Sequence, residues 1–366
     1  MANRGQRRPD RVRTRSIGVH GPLIMGALYR LGCATAEELA ALLYLDRRKV
    51  NRQLLTLLGD GYVERLCAWP SWRKVTNGGP PHVYYLSSRL GVPCGAGEVG
   101  VEDEDEARSL YRRCRIPAHY SHRELGTAFA ALLSSACRAH TGITLTGYWA
   151  EHAPDFPWRG GSSKPIYASG LGAGLKQGDI QPDGSIQSEM DFGGDVGFRR
   201  LRMVLELETG SRNIAVAVDK TRSYCALLET RCRTGGRSKH PRDPNGHEYL
   251  AEPPGGWSAV TFVCPTDAAA ARMRKRVEFD LEEDDAYQAW VGRMQMQHDV
   301  DPAWFVLFVG LDAVEGSAGA LGSIYRPLQP YPVEGGESLH LVRPEDTAWY
   351  AAWAAGRQGL SGKEAG

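Results

Sequence analysis

The sequence lacks a paired-cysteine signature. Its eight cysteines (Cys33, Cys67, Cys94, Cys114, Cys137, Cys225, Cys232 and Cys264) are scattered, and none stands in a CxxC pair. That excludes a zinc ribbon and points to free thiols in a reducing cytoplasm. It lacks a long apolar run: Val306-Leu307-Phe308-Val309 is only strand length, far short of the roughly 18 residues a membrane-spanning helix needs. No membrane partner is expected. The basic N-terminus has no apolar segment behind it, so it is not a secretion signal, and there is no internal repeat. Adjacent histidines are missing; His119 and His122 are the nearest pair, and no third ligand is placed beside them. Net charge is also missing: 44 Lys and Arg face 43 Asp and Glu, leaving +1.

What the sequence does have is charge unevenly placed. Arg4, Arg7, Arg8, Arg11, Arg13 and Arg15 stand against one acid, Asp10, and a run Glu102-Asp103-Glu104-Asp105-Glu106 offsets them further on. Local clusters matter more than totals for binding a polyanion. The 366 residues suit two or three domains. They divide into a basic arm (1–17), a helix-and-hairpin unit (18–92), an acidic linker (93–107), an α/β unit (108–312) and a C-terminal extension with a flexible tail (313–366).

Residues 18–92 carry a helix-turn-helix pattern. Leu23 to Tyr29 has helical spacing and ends at Leu31-Gly32. Thr35 is placed to cap a second helix with Glu37 and Glu38 in its first turn, and Asp46 to cap a third, Arg47 to Leu58. Val50, Leu54, Leu57 and Leu58 then face inward, leaving Arg47, Arg48, Asn51 and Arg52 outside. A two-stranded hairpin follows, from Tyr62-Val63-Glu64-Arg65-Leu66 to His82-Val83-Tyr84-Tyr85-Leu86. Three short helices and a hairpin make a winged helix. Its third helix is expected in the major groove of double-stranded DNA, with Trp72, Arg73 and Lys74 of the hairpin loop on the backbone. Arg11, Arg13 and Arg15 of the arm are expected to add phosphate contacts. The bland alternative is a winged helix that binds protein.

From Ala107 onward, apolar strands alternate with helices, which argues for an α/β layer with both sheet faces covered. The helix Thr127 to Cys137 is rich in small residues. Strands are expected at Gly142–Trp149, Trp257–Cys264 and Trp304–Val309, with Asp267 capping the helix Ala268 to Val277. Arg233–Gly256 and Glu315–Glu337 read as polar insertions.

The chemistry concentrates between Ile180 and Tyr224. Pro182-Asp183-Gly184 is a turn carrying a carboxylate. Val204-Leu205-Glu206-Leu207-Glu208 is an apolar strand carrying two more, with Glu206 and Glu208 on the face of Val204. Acids at the end of an apolar strand are costly unless exposed, paired or on a metal. Lys220 follows on a helical segment, with Tyr224 on the same side. These are the groups of a PD-(D/E)XK metal-dependent nuclease: Asp183, Glu206 and Glu208 as hard oxygen ligands for Mg²⁺ or Mn²⁺, and Lys220 to steady the attacking water and the developing charge. Glu124, at a helix start, is an accessory candidate, and Tyr224 a phosphate-contact or packing residue. The usual position of the lysine, two residues after the acid, is held here by Glu208.

The chain resembles the replication-relaxation family of plasmid and mobile-element proteins. The resemblance rests on Leu28-Tyr29-Arg30-Leu31-Gly32, Arg47 to Arg52, Leu57 to Val63, His122-Arg123-Glu124-Leu125, Ile180 to Gly184, Leu205 to Gly210, and Lys220 with Tyr224. The family more usually has Glu-x-Asp at Glu206-Leu207-Glu208. The resemblance implies a cytoplasmic DNA partner and a role in plasmid replication, relaxation or transfer. It leaves open a homodimer or partner replication and transfer proteins. Four activities are compatible: a Mg²⁺-dependent endonuclease or nickase, a non-catalytic replication initiator or regulator, a tyrosine relaxase, and a protein-binding module.

Overall fold

Local signals start the N-terminal helices. Helix α1 (Gly21–Leu31) has a proline in its first turn, where the missing N–H costs nothing. After a short strand β1 (Ala34–Thr35), helix α2 (Ala36–Leu42) begins on a reciprocal cap. Glu38 N donates to Thr35 Oγ1 at 3.2 Å and Thr35 N to Glu38 Oε2 at 2.7 Å. Helix α3 (Arg47–Gly59) begins on Asp46, whose carboxylate accepts from Arg48 N and Lys49 N at 3.0 and 3.1 Å. Val50, Leu54 and Leu57 of α3 are buried. Strands β2 (Val63–Cys67) and β3 (His82–Leu86) pair antiparallel, and β1 adds to the far side of β3 in the order β1-β3-β2. The expected hairpin is therefore part of a three-stranded sheet; two residues are too few to announce β1 by alternation.

The computed structural model describes residues 17–73, 78–114, 116–139, 143–151, 153, 166–167, 179–180, 182–191, 198–210, 214–233, 251–252, 259–293, 306–316, 319–322 and 324–328. Arg11, Arg13, Arg15, Lys74, most of both polar insertions and the C-terminal tail lie outside these residues.

The stretch expected as an acidic linker carries two helices, α4 (Gly91–Gly97) and α5 (Glu104–Tyr111). Asp103 caps α5 by accepting from Glu106 N at 2.7 Å. The acids Glu104, Asp105 and Glu106 lie in its first turn, where the helix dipole favours negative charge. Tyr111 ties this segment down: its hydroxyl donates to Gly32 O at 2.7 Å and accepts from Leu86 N at 2.9 Å.

A single 3-10 turn (Arg112–Cys114) leads to the long helix α6 (Tyr120–Ala139) and then to the main sheet. Its strands are β4 (Ile143–Ala150), β7 (Gly184–Asp191), β8 (Phe198–Leu207), β9 (Ala251–Glu252), β10 (Ala259–Cys264), β11 (Val306–Gly310) and β12 (Arg326–Pro327); β5 (Ile166–Tyr167) and β6 (Asp179–Ile180) form a separate pair. The main order is β12-β11-β10-β8-β7-β4, with β9 also on β8. Strands β4, β7 and β8 form an antiparallel meander; β10 runs parallel to β8 and to β11. The sheet is mixed and the protein is α/β. Helices α7 (Ile214–Arg233), α8 (Asp267–Glu282), α9 (Asp285–Arg293) and α10 (Leu311–Glu315) complete it. Thr266, not Asp267, caps α8, accepting from Ala269 N at 3.2 Å.

Alternation divides the apolar side chains between two layers. Met203, Leu205, Leu207, Val263, Leu307 and Val309 join a core with α6 and the N-terminal helices. Val204, Val260, Phe262, Val306 and Phe308 join a second core with α7, α8 and α9. Phe262 and Phe308 stack at 5.0 Å, and burying side chains of this kind contributes roughly 1.5–3 kcal/mol each. Helix α6 lies close to the sheet because Gly126 has no side chain: a Cβ there would sit 2.4 Å from Tyr148 Oη and 2.9 Å from a Leu207 methyl. The N-terminal unit packs on α6 from the other side. Ser134 Oγ donates to Ala41 O at 2.9 Å and Thr127 Oγ1 to Cys33 O at 3.3 Å.

Candidate active site

The strand register brings the first two acids together. In the antiparallel β7–β8 ladder, Gly184 faces Leu205 and Ser185 faces Val204. One step further in that register sets Asp183 beside Glu206. Asp183 N donates to Leu205 O at 3.0 Å, and Leu207 N donates to Asp183 Oδ2 at 2.9 Å. The Asp183 carboxylate is thus fixed by the backbone of the strand that carries Glu206. Glu208 follows the end of β8, and its N–H donates to Val263 O on β10 at 2.9 Å. The chain turns away at Gly210, whose φ of +104° suits glycine, and enters α7.

Helix α7 returns Lys220 and Tyr224, one turn apart, over Glu206. Lys220 Nζ donates to Glu206 Oε2 and lies 3.7 Å from Asp183 Oδ2. Tyr224 Oη donates to Glu206 Oε1 at 2.5 Å. Glu206 and Tyr224 are wholly buried; Lys220 is partly exposed. The four expected residues Asp183, Glu206, Lys220 and Tyr224 therefore share one cluster. Glu208 is buried at its edge, and its charge is one of those acting on Lys220.

The electrostatics follow from burial and the shared ammonium. Burial pushes the Glu206 carboxyl up, and so does neighbouring Asp183; Lys220 and Tyr224 pull the other way, and the result is about 8. Burial acts on Asp183 in the same direction. There Lys220, the His122 hydrogen bond and the Leu207 N–H prevail, holding it well below the usual carboxylate range. Burial would lower Lys220, but Glu206 and Asp183 hold it above its ordinary value. Burial, then the Glu206 charge, raises Tyr224 well above a normal phenol. One carboxylate is kept ionised while its neighbour is pushed toward neutrality, the separation expected of acids sharing a site.

Three participants were not singled out from sequence. His122 Nε2 lies 3.1 Å from Asp183 Oδ1. Arg123 is almost completely buried, donates to Glu151 Oε1, and reaches Asp183 O at 3.4 Å. Glu151 N in turn donates to Asp183 O at 3.1 Å. The signal was present in His122-Arg123-Glu124-Leu125, but helical periodicity does not say which of three consecutive polar residues meets a strand end. Glu124 takes another direction. It faces a cleft beside Glu38, Arg73 and Glu315, not the Asp183–Glu206 cluster.

The residues expected to meet DNA are arranged as follows. Arg47, Arg48, Asn51 and Arg52 are exposed on α3. Arg47 lies 3.8 Å from Glu37. The hairpin loop is docked on α6: Trp72 Nε1 donates to Ser121 O at 2.7 Å and Ser71 N to Ser121 Oγ at 2.8 Å. Arg73 pairs with Glu315 at 3.0 Å. Among the described residues no helix is long and apolar enough to cross a membrane. Nor do three His, Cys, Asp or Glu side chains among them form a metal-binding group; the cation between Asp183 and Glu206 is the Lys220 ammonium. As donors, these carboxylates have the hard-oxygen chemistry of a Mg²⁺ or Mn²⁺ site.

Neither a curated protein nor a solved structure matches the chain. The model of the family described as Replication-relaxation does match, over residues 25–242. That span takes in the N-terminal helices, α6, the antiparallel meander and the Asp183–Tyr224 cluster, more than half of the chain, which therefore belongs to the replication-relaxation family.

Proposed function

We propose that the protein is a Mg²⁺- or Mn²⁺-dependent DNA endonuclease or nickase serving replication, relaxation or transfer of a plasmid or mobile element. Family membership ties the chain to plasmid or mobile-element replication and relaxation and to nucleic acid. The observation that carries the cleavage reading is the convergence of Asp183 and Glu206 on Lys220. The three come from different elements, and they meet at the end of adjacent strands with two carboxylates on one cation. The order α6, β4, β7, β8, α7, β10, with three antiparallel strands and a fourth parallel to the third, supports a PD-(D/E)XK scaffold. The order α1, β1, α2, α3, β2, β3 supports a winged helix with α3 as its DNA-reading element.

In this reading Asp183 and Glu206 hold the metal and Glu208 assists. The metal supplies Lewis-acid polarisation of the phosphodiester. The chain's own groups do the rest. Lys220 offsets the charge that builds on the phosphate oxygens and orients water. Tyr224 and Leu207 N–H fix the two carboxylates. His122 holds Asp183 in place. Arg47, Arg48, Asn51, Arg52 and Arg73 hold the duplex, together with Lys74 and the arm residues Arg11, Arg13 and Arg15. Incubation of supercoiled plasmid DNA with Mg²⁺ or Mn²⁺ is expected to give nicked or linear product with wild type and none with Asp183→Ala. Equal cutting by both chains would refute the site.

A second reading is a DNA-binding initiator or regulator that keeps this fold as a scaffold. The specific support is the Lys220 ammonium, which already satisfies both carboxylates. Tight, salt-sensitive DNA binding with no cleavage under either metal would establish it.

A further inference from the structure

A second polar site lies away from the acids just described. Helix α3 and the N-terminal end of α2 face α6 and α10 across a cleft of about 760 Å³. Its lining is bipolar. Arg47, Arg48 and Arg73 contribute guanidinium groups, and Glu37, Glu38, Glu124 and Glu315 contribute carboxyls, with Glu37 beside Arg47 and Glu315 paired with Arg73 at the rim. The lining also includes Ala128, Ala131 and Leu132 of α6, an apolar strip.

Glu124 is the unusual member. Only 1 % of its surface is exposed, and its Oε2 is buried with no hydrogen-bond partner. Buried polar atoms without partners are rare and costly. Glu38, by contrast, is occupied in the cap of α2. The cleft therefore presents an orphan acceptor at depth, with cationic donors on the α3 side.

The ligand must match both ends. A simple anion would satisfy the arginines but meet four carboxyls. A simple cation would satisfy the carboxyls but meet three arginines. A free amino acid is bipolar but would leave most of a space in the ordinary range for ligand pockets, roughly 300–1,000 Å³. A nucleotide fits all three features. It has a phosphate for guanidinium donors, a flat body for the Ala128–Leu132 strip, and an N–H edge for a carboxyl.

We infer that this cleft is a nucleotide-binding site, in which Glu124 receives the N–H edge of the base and Arg47, Arg48 and Arg73 hold the phosphate. Guanine is the expected base, because its N1–H and N2–H groups lie side by side and both donate; Glu124, which burial keeps protonated in the empty cleft, releases that proton to solvent as the two donors engage its oxygens. The Arg73–Glu315 pair is the contact the phosphate displaces. The same chemistry has two sources, a free guanine nucleotide or an unpaired guanine within a DNA strand. The site shares Arg47, Arg48 and Arg73 with the duplex contacts proposed above. Glu124 belongs to it alone and makes no contact with Asp183, Glu206 or Lys220, so the Glu124 variants test it without touching the cleavage reading.

The test is calorimetric titration of the full chain with GMP and with UMP, in EDTA so that no metal site contributes. A parallel arm uses a duplex with one bulged guanine against the same duplex fully paired. GMP is expected to bind at micromolar to millimolar concentration and more tightly than UMP. Glu124→Gln, which preserves shape but places an N–H where an acceptor is needed, is expected to weaken it about tenfold or more. Its thermal melt reports that the fold is kept, and Glu124→Ala serves as a second variant. GMP binding that depends on Glu124 identifies a free nucleotide. A preference for the bulged duplex that depends on Glu124 identifies a strand nucleotide. Absence of both, or binding unchanged by Glu124→Gln, overturns the inference.

Discussion

Tyr224→Phe is the most informative single change at the acidic cluster. The hydroxyl donates to Glu206 Oε1 at 2.5 Å, and both residues are wholly buried. Phenylalanine keeps the ring and its packing in the core between the sheet and α7, α8 and α9 and removes only this donor. A hydrogen bond to a charged group is worth about 1.5–3 kcal/mol, and each pKa unit corresponds to about 1.4 kcal/mol. The Glu206 carboxyl, pushed up to about 8 with Tyr224 helping to hold it down, is expected to rise by roughly one to two units. A metal competes with that proton. At neutral pH, Mn²⁺ affinity is therefore expected to fall by about 10- to 100-fold, the range seen when groups supporting a metal ligand are removed. Well above the shifted value both proteins have an ionised Glu206, and most of the deficit should close. Calorimetric Mn²⁺ titrations at neutral and at alkaline pH read this directly. Equal affinities at neutral pH would refute the reasoning; a deficit of the same size at every pH would refute its protonation basis.

Other perturbations separate the remaining parts. Lys220→Met removes the shared cation and is expected to abolish cleavage, with Lys220→Arg retaining part of it, as read by plasmid nicking. Arg123→Met strands Glu151 in a largely buried pair, and such a loss costs about 3–5 kcal/mol, visible in urea unfolding. Burial, with Glu38 nearby, raises the Glu124 carboxyl well above 4.5, and it faces Arg73 and Glu315 as well. The folded state thus holds that proton more tightly than the unfolded chain. Its contribution to stability is complete below the ordinary glutamate range and is lost as pH rises through the folded value. Glu124→Gln is accordingly expected to melt below or level with wild type in acid and to gain on it as pH rises. Neutralising Arg47 and Arg48 together is expected to flatten the salt dependence of DNA binding; an unchanged slope would remove α3 from the interface.

The elements most legible in sequence were those with strong local chemistry. Thr35 and Asp46 announced the starts of α2 and α3 because a hydroxyl or carboxylate there satisfies N–H groups that the helix leaves open. The faces of β8 followed from alternation alone, which set Glu206 apart from Leu205 and Leu207. What was not legible depends on partners distant in the chain. The stretch around Glu102–Glu106 reads as a linker until Tyr111 fastens its helix to Gly32 and Leu86, although the acids themselves stay exposed. Ala34–Thr35 becomes a strand only because β3 offers a free edge. Lys220 stands at an unusual distance in sequence, but α7 returns it to the register point where Asp183 meets Glu206. The directions of His122 and Glu124 were set by the rotation of α6 against the sheet, which close packing at Gly126 decides.

The first turn of α6 has a mechanical consequence. Ser121 grips the hairpin loop through Ser71 and Trp72, His122 touches Asp183, Arg123 clasps Glu151, and Glu124 closes the floor of the cleft. Four successive residues of one helical turn, about 5.4 Å of rise, are all engaged: Ser121 with the hairpin loop, His122 and Arg123 with the Asp183 segment and Glu151, and Glu124 with the cleft. A rigid turn cannot rotate toward one partner without turning from another. Any force that pulls Trp72 from Ser121 is therefore felt at once as torque on His122, and the loop and the acid cluster behave as two ends of one short crank.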